Sequence, residues 1–335
     1  MKGRKKCPLL NKHRVVCKQP EAYRESSMAE QIKQSFETSE HTDKKKRLQQ
    51  WPTPRHETAF GCPRDFLDNR FVYTVVSPRA RGLSIGINMN PDTTCNFDCV
   101  YCEVHRGGET PREQHLDVDV MAQELKKTLA SVQDGRLRER PWFQSVPDEL
   151  LALRHVALSG DGEPTLAPNF VEAVETAIHV RALGTHPFFK LVLITNGTGL
   201  DQPQVRQGLK LFTNADEVWV KLDGGTQAYL NKVNKMDVPL EKILGNILEL
   251  GRQRPIVIQS LFPSVNREEP PAQEIEQYAE RLRELRMAGA QIRLVQIYSA
   301  TRPTPNSSCG HLPLRTLSHI AHTVRQNAGL KAEVF

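Results

Sequence analysis

Leu83-Ser-Ile-Gly-Ile-Asn-Met89 runs directly into Asn90-Pro-Asp-Thr-Thr-Cys95-Asn-Phe-Asp-Cys99-Val-Tyr-Cys102. The first seven residues form an apolar run of strand length, bounded by a polar loop that carries three cysteines. Similar runs recur downstream at His155 to Leu158, Leu191 to Thr195, Glu217 to Leu222, Ile256 to Leu261 and Ile292 to Tyr298, with Phe71 to Val76 just upstream. From Val156 through Val192, Trp219, Val257 and Leu294, the strand centres are spaced by 36, 27, 38 and 37 residues, the period of a βα unit.

The intervening segments carry apolar residues at helical spacing. Val118, Met121, Leu125, Leu129 and Val132 share one face, as do Ile275, Ala279, Leu282 and Leu285. Nearly continuous apolar strands, each followed by such a helix, imply a parallel sheet covered by helices. The pattern predicts an α/β fold: a partial (β/α)6 TIM-like barrel, short of the eight units of a closed barrel, with one added N-terminal edge strand and a C-terminal helical segment.

At 335 residues, 39% hydrophobic and 25% charged, the chain has the composition of a folded soluble protein. No window offers the ~18 consecutive apolar residues of a membrane span, and the basic start MKGRKKCPLL lacks the apolar stretch of a secretory signal. The expectation is a cytoplasmic protein with no membrane partner. Seven cysteines are too sparse for a disulfide scaffold and suit a reducing compartment. Residues 1–60 hold 14 Lys+Arg against 7 Asp+Glu, a surplus larger than the +6 of the whole chain. The expected division is a disordered or weakly structured basic tail, 1–60, followed by a barrel domain, 61–335.

In a parallel βα architecture the loops leaving the C-terminal strand ends form the reactive face, and the C-x3-C-x2-C loop is one of these. Three soft thiolates, Cys95, Cys99 and Cys102, can converge on iron or zinc from a single loop. On a [4Fe-4S] cluster they would leave one iron without a protein ligand. A closed zinc site would need a fourth ligand such as His105, Cys62 or Cys309, none of which stands at regular spacing. Cys7, Cys17, Cys62 and Cys309 read as free thiols, and Gly224-Gly225 is not followed by the Lys-Ser/Thr of a phosphate loop.

The cysteine spacing, with Tyr101 just before the last thiol, resembles the signature of the radical S-adenosylmethionine (SAM) enzymes. Ser159-Gly-Asp-Gly-Glu163-Pro164 at the end of the second strand of the repeat is similar to that family's Gly-Gly-Glu-Pro segment, with Asp161 interrupting the glycine pair. Thr195-Asn196-Gly197, Lys221-Leu-Asp223 and Gln259 stand at matching rim positions. Ser77-Pro-Arg79-Ala-Arg81-Gly, Leu222-Asp-Gly-Gly, Val295-Gln296 and Arg302-Pro303 narrow the resemblance to the iron-sulfur oxidoreductase branch grouped with wyosine (tRNA base) biosynthesis enzymes. The similarity covers about residues 70 to 335.

The resemblance implies a [4Fe-4S] cluster on Cys95, Cys99 and Cys102, with SAM chelated to the open iron. Reductive cleavage would give a 5'-deoxyadenosyl radical that abstracts hydrogen from an unidentified substrate, an RNA or a small molecule, with a flavodoxin- or ferredoxin-type protein as one-electron donor. The implied SAM contacts are Tyr101, Ser159, Gly160, Gly162, Glu163, Thr195, Asn196 and Asp223, and Gln259, Gln296, Tyr298 and the segment after Arg302 would line the substrate pocket.

Several of these residues have plainer readings. Glu163 could cap the helix expected near Ala167, and Thr195-Asn196 could form an Asx-type turn. Asp223 could cap a helix starting at Thr226, and Tyr101 could only pack. Arg79 and Arg81 could pair with surface carboxylates or reach an anionic substrate or the SAM carboxylate. A metal-stabilised RNA-binding module using the basic tail, or an activase of a partner protein, are the alternative functions.

Overall fold

The computed structural model describes residues 66–104, 115–302 and 304–335. The basic tail with Cys7 and Cys17, and also Cys62, His105 and Pro303, lie outside the described residues. Among the described residues the main sheet has eight strands: β1 (Val72–Ser77), β2 (Gly82–Asn88), β3 (Leu153–Ser159), β4 (Lys190–Thr195), β5 (Glu217–Lys221), β6 (Ile256–Leu261), β8 (Ile292–Tyr298) and β10 (Ala332–Val334). The two-residue strands β7 (Ser264–Val265) and β9 (Cys309–Gly310) pair separately. Every neighbouring pair from β2 to β10 in the main sheet is parallel, while β1 returns antiparallel to β2.

The fold is α/β with a curled, mostly parallel, TIM-like partial barrel, as the βα period predicts. The expected edges require correction. Instead of a single added strand and a purely helical C-terminus, both margins carry an extra strand, β1 beside β2 and β10 beside β8. Strand β10 follows a final helix and a π turn at Val324–Ala328. Three residues are too few to display alternation, so nothing local in the sequence marks them as a strand.

The helices α1 (Val118–Gln133), α2 (Asp148–Leu151), α3 (Phe170–Ala182), α4 (Pro203–Lys210), α5 (Gln227–Val233), α6 (Leu240–Gln253), α7 (Ala272–Met287) and α8 (Leu314–Thr323) connect the strands. Asp117 caps α1 by accepting from the N–H groups of Asp119 and Val120, and Met121, Leu125 and Leu129 are fully buried. Within this apolar stripe Glu124 is also buried, accepting from the N–H groups of Arg70 (2.6 Å), Phe71 (2.8 Å) and Val72 (3.1 Å), which fastens the start of β1 to the helix. The α7 stripe buries Ile275, Ala279, Leu282 and Leu285.

Alternation divides each strand between two environments. Ile85, Ile87, Val156, Leu158, Leu191, Leu193, Val218, Val220, Ile258 and Val295 join the helices in one large core. Residues one position away face the inside of the curl, where Val192, Trp219 and Val257 form their own cluster with Ala80, Ile194 and Leu294. The β1–β2 turn lies across this interior: Ala80 packs there, and Arg81 reaches Glu333 on β10 at 2.6 Å although β2 and β10 are far apart in the sheet. No helix among the described residues is long and apolar enough to cross a membrane.

Candidate functional site

The cysteine loop leaves the C-terminal end of β2 and is fastened to the ends of the next three strands. Against β3, Asn88 donates from Nδ2 to Asp161 (2.8 Å) and accepts from the Asp161 N–H (3.0 Å), while the Glu163 N–H donates to the Thr94 carbonyl (3.0 Å). Against β4, Asn96 donates to Thr198 Oγ1 (2.9 Å) and accepts from Asn196 Nδ2 (2.8 Å). Against the segment after β5, the N–H groups of Asp98 and Val100 donate to the carbonyls of Asn234 (3.1 Å) and Val233 (2.8 Å). The loop is therefore a separate layer laid over three rim segments, positioned by backbone and amide groups.

The two glycines around Asp161 owe their presence to this layer. A Cβ on Gly160, whose φ is 141°, would stand 2.2 Å from Asn88 Oδ1, and one on Gly162 would stand 2.0 Å from the Thr94 carbonyl oxygen. At both glycines the chain closely approaches itself. Asp161, the departure from a Gly-Gly pair, is the partner of Asn88. Beneath the same turn Asn90 Oδ1 is buried with no donor.

Glu163 is 3% exposed and its carboxylate is fully engaged. Oε1 accepts from Thr195 Oγ1 (2.6 Å), Thr165 Oγ1 (2.7 Å) and Thr165 N (3.1 Å), and Oε2 accepts from the Asn196 N–H (2.7 Å). It caps the short 3-10 turn Pro164–Leu166 rather than a helix near Ala167, and α3 begins at Phe170. Burial raises its pKa, opposed by these four hydrogen bonds. Asn196 makes the Asx-type turn, its Oδ1 accepting from the Thr198 N–H (3.0 Å) and hydroxyl (2.7 Å).

Asp223 does not cap α5, whose N-cap is Thr226. Its carboxylate accepts from the Leu261 N–H (2.8 Å), Asn234 Nδ2 (2.8 Å) and the Tyr101 hydroxyl, and lies 3.4 Å from Lys221 Nζ. Tyr101 points inward and packs with Val100, Val233, Leu261, Val265 and Tyr298, with Lys221 Nζ 4.8 Å from its ring centre. Asn234, which carries no recognisable motif, joins the group by donating to Cys99 Sγ at 3.3 Å. The Gly224-Gly225 turn is occupied by Glu274, which accepts from the N–H groups of Gly225 (2.5 Å) and Thr226 (3.2 Å).

Ser159 shares a hydrogen bond with Tyr73 Oη (2.9 Å), and Gln259 donates to Gln296 (2.9 Å) on the adjacent strand. Arg302 pairs with Glu103 on the loop at 2.9 Å. Cys95, Cys99 and Cys102 are half-buried and in no disulfide, as is Cys309. Burial and the negative charge of Asp223 push the Cys99 thiol up to about 12. Among the described residues no three His, Cys, Asp or Glu side chains are gathered closely enough to hold a metal ion. The loop trio fits a soft metal by donor chemistry, by sharing one loop, and by the amide hydrogen bond on Cys99. Its convergence would accompany metal binding.

No protein-family profile matches the chain. A UPF0026 protein (slr1464) of Synechocystis is 34% identical over 180 residues, which cover 52% of this chain and 57% of that protein, so the chain matches little more than half of this relative's length. The structure of TYW1 with a lysine-pyruvate adduct bound superposes with a TM-score of 0.51 at 14% identity, covering 79% of this chain and 86% of the other. Streptococcus suis SuiB bound to S-adenosylmethionine gives 0.50 at 12% identity, covering 77% and 52%. The fold is thus similar to those of TYW1 and SuiB, and the cysteine and Ser159–Pro164 motifs resemble those of the radical SAM proteins.

Proposed function

We propose that this chain is a radical SAM enzyme, with a [4Fe-4S] cluster on Cys95, Cys99 and Cys102 and SAM on the rim formed by Tyr101, Ser159, Gly160, Gly162, Glu163, Thr195, Asn196 and Asp223. The observation that carries the reading is the fastening of one three-thiol loop to the turns after β3 and β4, where the Ser159–Pro164 and Thr195–Gly197 motifs stand, and to the end of α5, where Asn234 bonds Asp223. Cys95, Cys99 and Cys102 would hold the cluster, which when bound would supply the one-electron chemistry of reductive SAM cleavage.

The chain's own residues place and shield the reactants. Asn88, Asp161 and the Glu163 N–H set the height of the loop above the rim. Glu163 has its acceptors committed to Thr165, Thr195 and Asn196, so it positions the rim backbone around the cofactor. Asn90 Oδ1, an acceptor lacking a donor beside Gly162, suits the methionyl ammonium. Tyr101, Tyr298 and the apolar cluster of Val192, Trp219 and Val257 exclude water from the interior, which protects a radical from side reactions. The electron comes from a flavodoxin- or ferredoxin-type donor, and the substrate is bound on the concave face.

The test is anaerobic: full-length protein reconstituted with iron and sulfide, supplied with SAM and a strong reductant. The reading expects 5'-deoxyadenosine and methionine in equal amounts. Reconstituted protein that carries a single zinc and leaves SAM intact would overturn it.

A further inference from the structure

The Ser77–Arg81 turn that spans the interior carries two arginines with different fates. Arg81 is spent at the surface, on Glu333 at 2.6 Å. Arg79 enters the interior, where its guanidinium carbon lies 4.1 Å from the centre of the Tyr298 ring and its Nε is buried without an acceptor. Among the described residues no carboxylate pairs with it. Stacking on an aromatic face uses the flat side of the guanidinium and leaves its in-plane N–H groups directed outward, the geometry that takes a carboxylate or phosphate.

The neighbouring charges are otherwise assigned. Glu217 is taken by Lys190 (2.7 Å), the Trp219 indole (2.8 Å) and Arg293 (3.4 Å). Asp223 is taken by Lys221, Asn234, Tyr101 and the Leu261 N–H. Lys221 Nζ stands 3.3 Å from Tyr298 Oη, on the same ring that Arg79 stacks against. His155 also faces the interior and contributes no negative charge. Among the described residues Lys190 thus has Glu217 and Lys221 has Asp223, while Arg79 has no carboxylate of its own. A buried donor without a partner costs about 1–3 kcal/mol, a cost that an incoming anion relieves.

We propose that Arg79, with Lys221 and the Tyr298 hydroxyl, forms a subsite for an anionic oxygen group of the substrate, so that the substrate carries a carboxylate or a phosphate. This rests on the reading of the concave face as the reaction chamber. The guanidinium fork binds the anion, Lys221 adds charge, and Tyr298 holds the guanidinium in plane.

The test is calorimetric titration of the reconstituted full-length protein with inorganic phosphate and, separately, with malonate at constant ionic strength. Saturable binding of at least one is expected, and the tighter of the two identifies the group. Arg79→Gln should weaken it at least tenfold, Arg79→Lys by less, and Arg81→Gln should leave it unchanged. Tyr298→Phe, which keeps the stacking surface, tests the site independently of any folding defect at Arg79 and should weaken binding several-fold. Absence of saturable binding in the wild type, or equal affinity in folded Arg79→Gln and wild type, overturns the subsite. Wild-type SAM cleavage is measured in parallel: anion binding without cleavage refutes the radical reading alone, and cleavage without anion binding refutes the subsite alone.

Discussion

The side-chain amide of Asn234 donates to Cys99 Sγ at 3.3 Å while the same nitrogen contacts the Tyr101 hydroxyl at 3.0 Å and Asp223 at 2.8 Å. One amide at the end of α5 thus ties a thiol of the loop to the rim after β5. Asn234→Ala removes this tie without touching a cysteine. The expected outcome is faster alkylation of Cys99 in the metal-free protein, by several-fold, and less iron retained per chain after reconstitution. Peptide mass mapping and iron analysis measure both.

Gly162→Ala places a Cβ against the Thr94 carbonyl, where the gap is 2.0 Å. The contact is with backbone, so the loop must lift from the rim. The barrel core is untouched, and the far-ultraviolet spectrum is expected to stay native while iron loading falls to a small fraction of wild type. Normal loading in this variant would show that the height of the loop is unimportant.

Glu163→Gln exchanges one acceptor oxygen for an NH2 group among the donors of Thr165, Thr195 and Asn196. The expected cost is about 1–3 kcal/mol, read from urea unfolding of the metal-free protein. A loss of this size without any cofactor present separates the rim-positioning role from a contact made only to SAM.

His155 is buried beside Trp219, with Nε2 2.8 Å from Ser84 Oγ and Nδ1 lacking a partner. Burial, with the positive charges of Lys190 and Arg79, lowers its pKa from 6.5 to about 3. The unfolded chain therefore binds a proton at this site between about pH 6.5 and 3 that the folded chain refuses. Stability from this residue is complete above pH 6.5 and declines as pH falls through that window, by up to about 1.4 kcal/mol per pH unit. His155→Gln is expected to flatten this part of the stability–pH curve, measured by denaturant unfolding at several pH values.

Much of the fold was legible because the strands β2, β3, β4, β5, β6 and β8 are long enough to show apolar runs, and because helices between them repeat the βα period. Strand β10 was not legible, since Ala332–Val334 takes its identity from pairing with Val295–Ile297 more than thirty residues earlier. At the site, the cysteines and the Ser159–Pro164 turn stood out through spacing. Asn88, Asn96 and Asn234 did not, because an asparagine has many uses and only the folded chain brings these three to Asp161, Thr198 and Cys99. Glu163 and Asp223 were visible as rim carboxylates, but the burial that engages them with the protein's own N–H and hydroxyl groups depends on neighbouring strands.

On the proposed function, the three thiols of one loop carry the chemistry. Cys95→Ser, Cys99→Ser and Cys102→Ser should each be compared with wild type for acid-labile sulfide and for 5'-deoxyadenosine formed from SAM under anaerobic reduction. Both signals are expected in wild type, and loss of both in every variant. Retention of sulfide and SAM cleavage by any one of the three would contradict it.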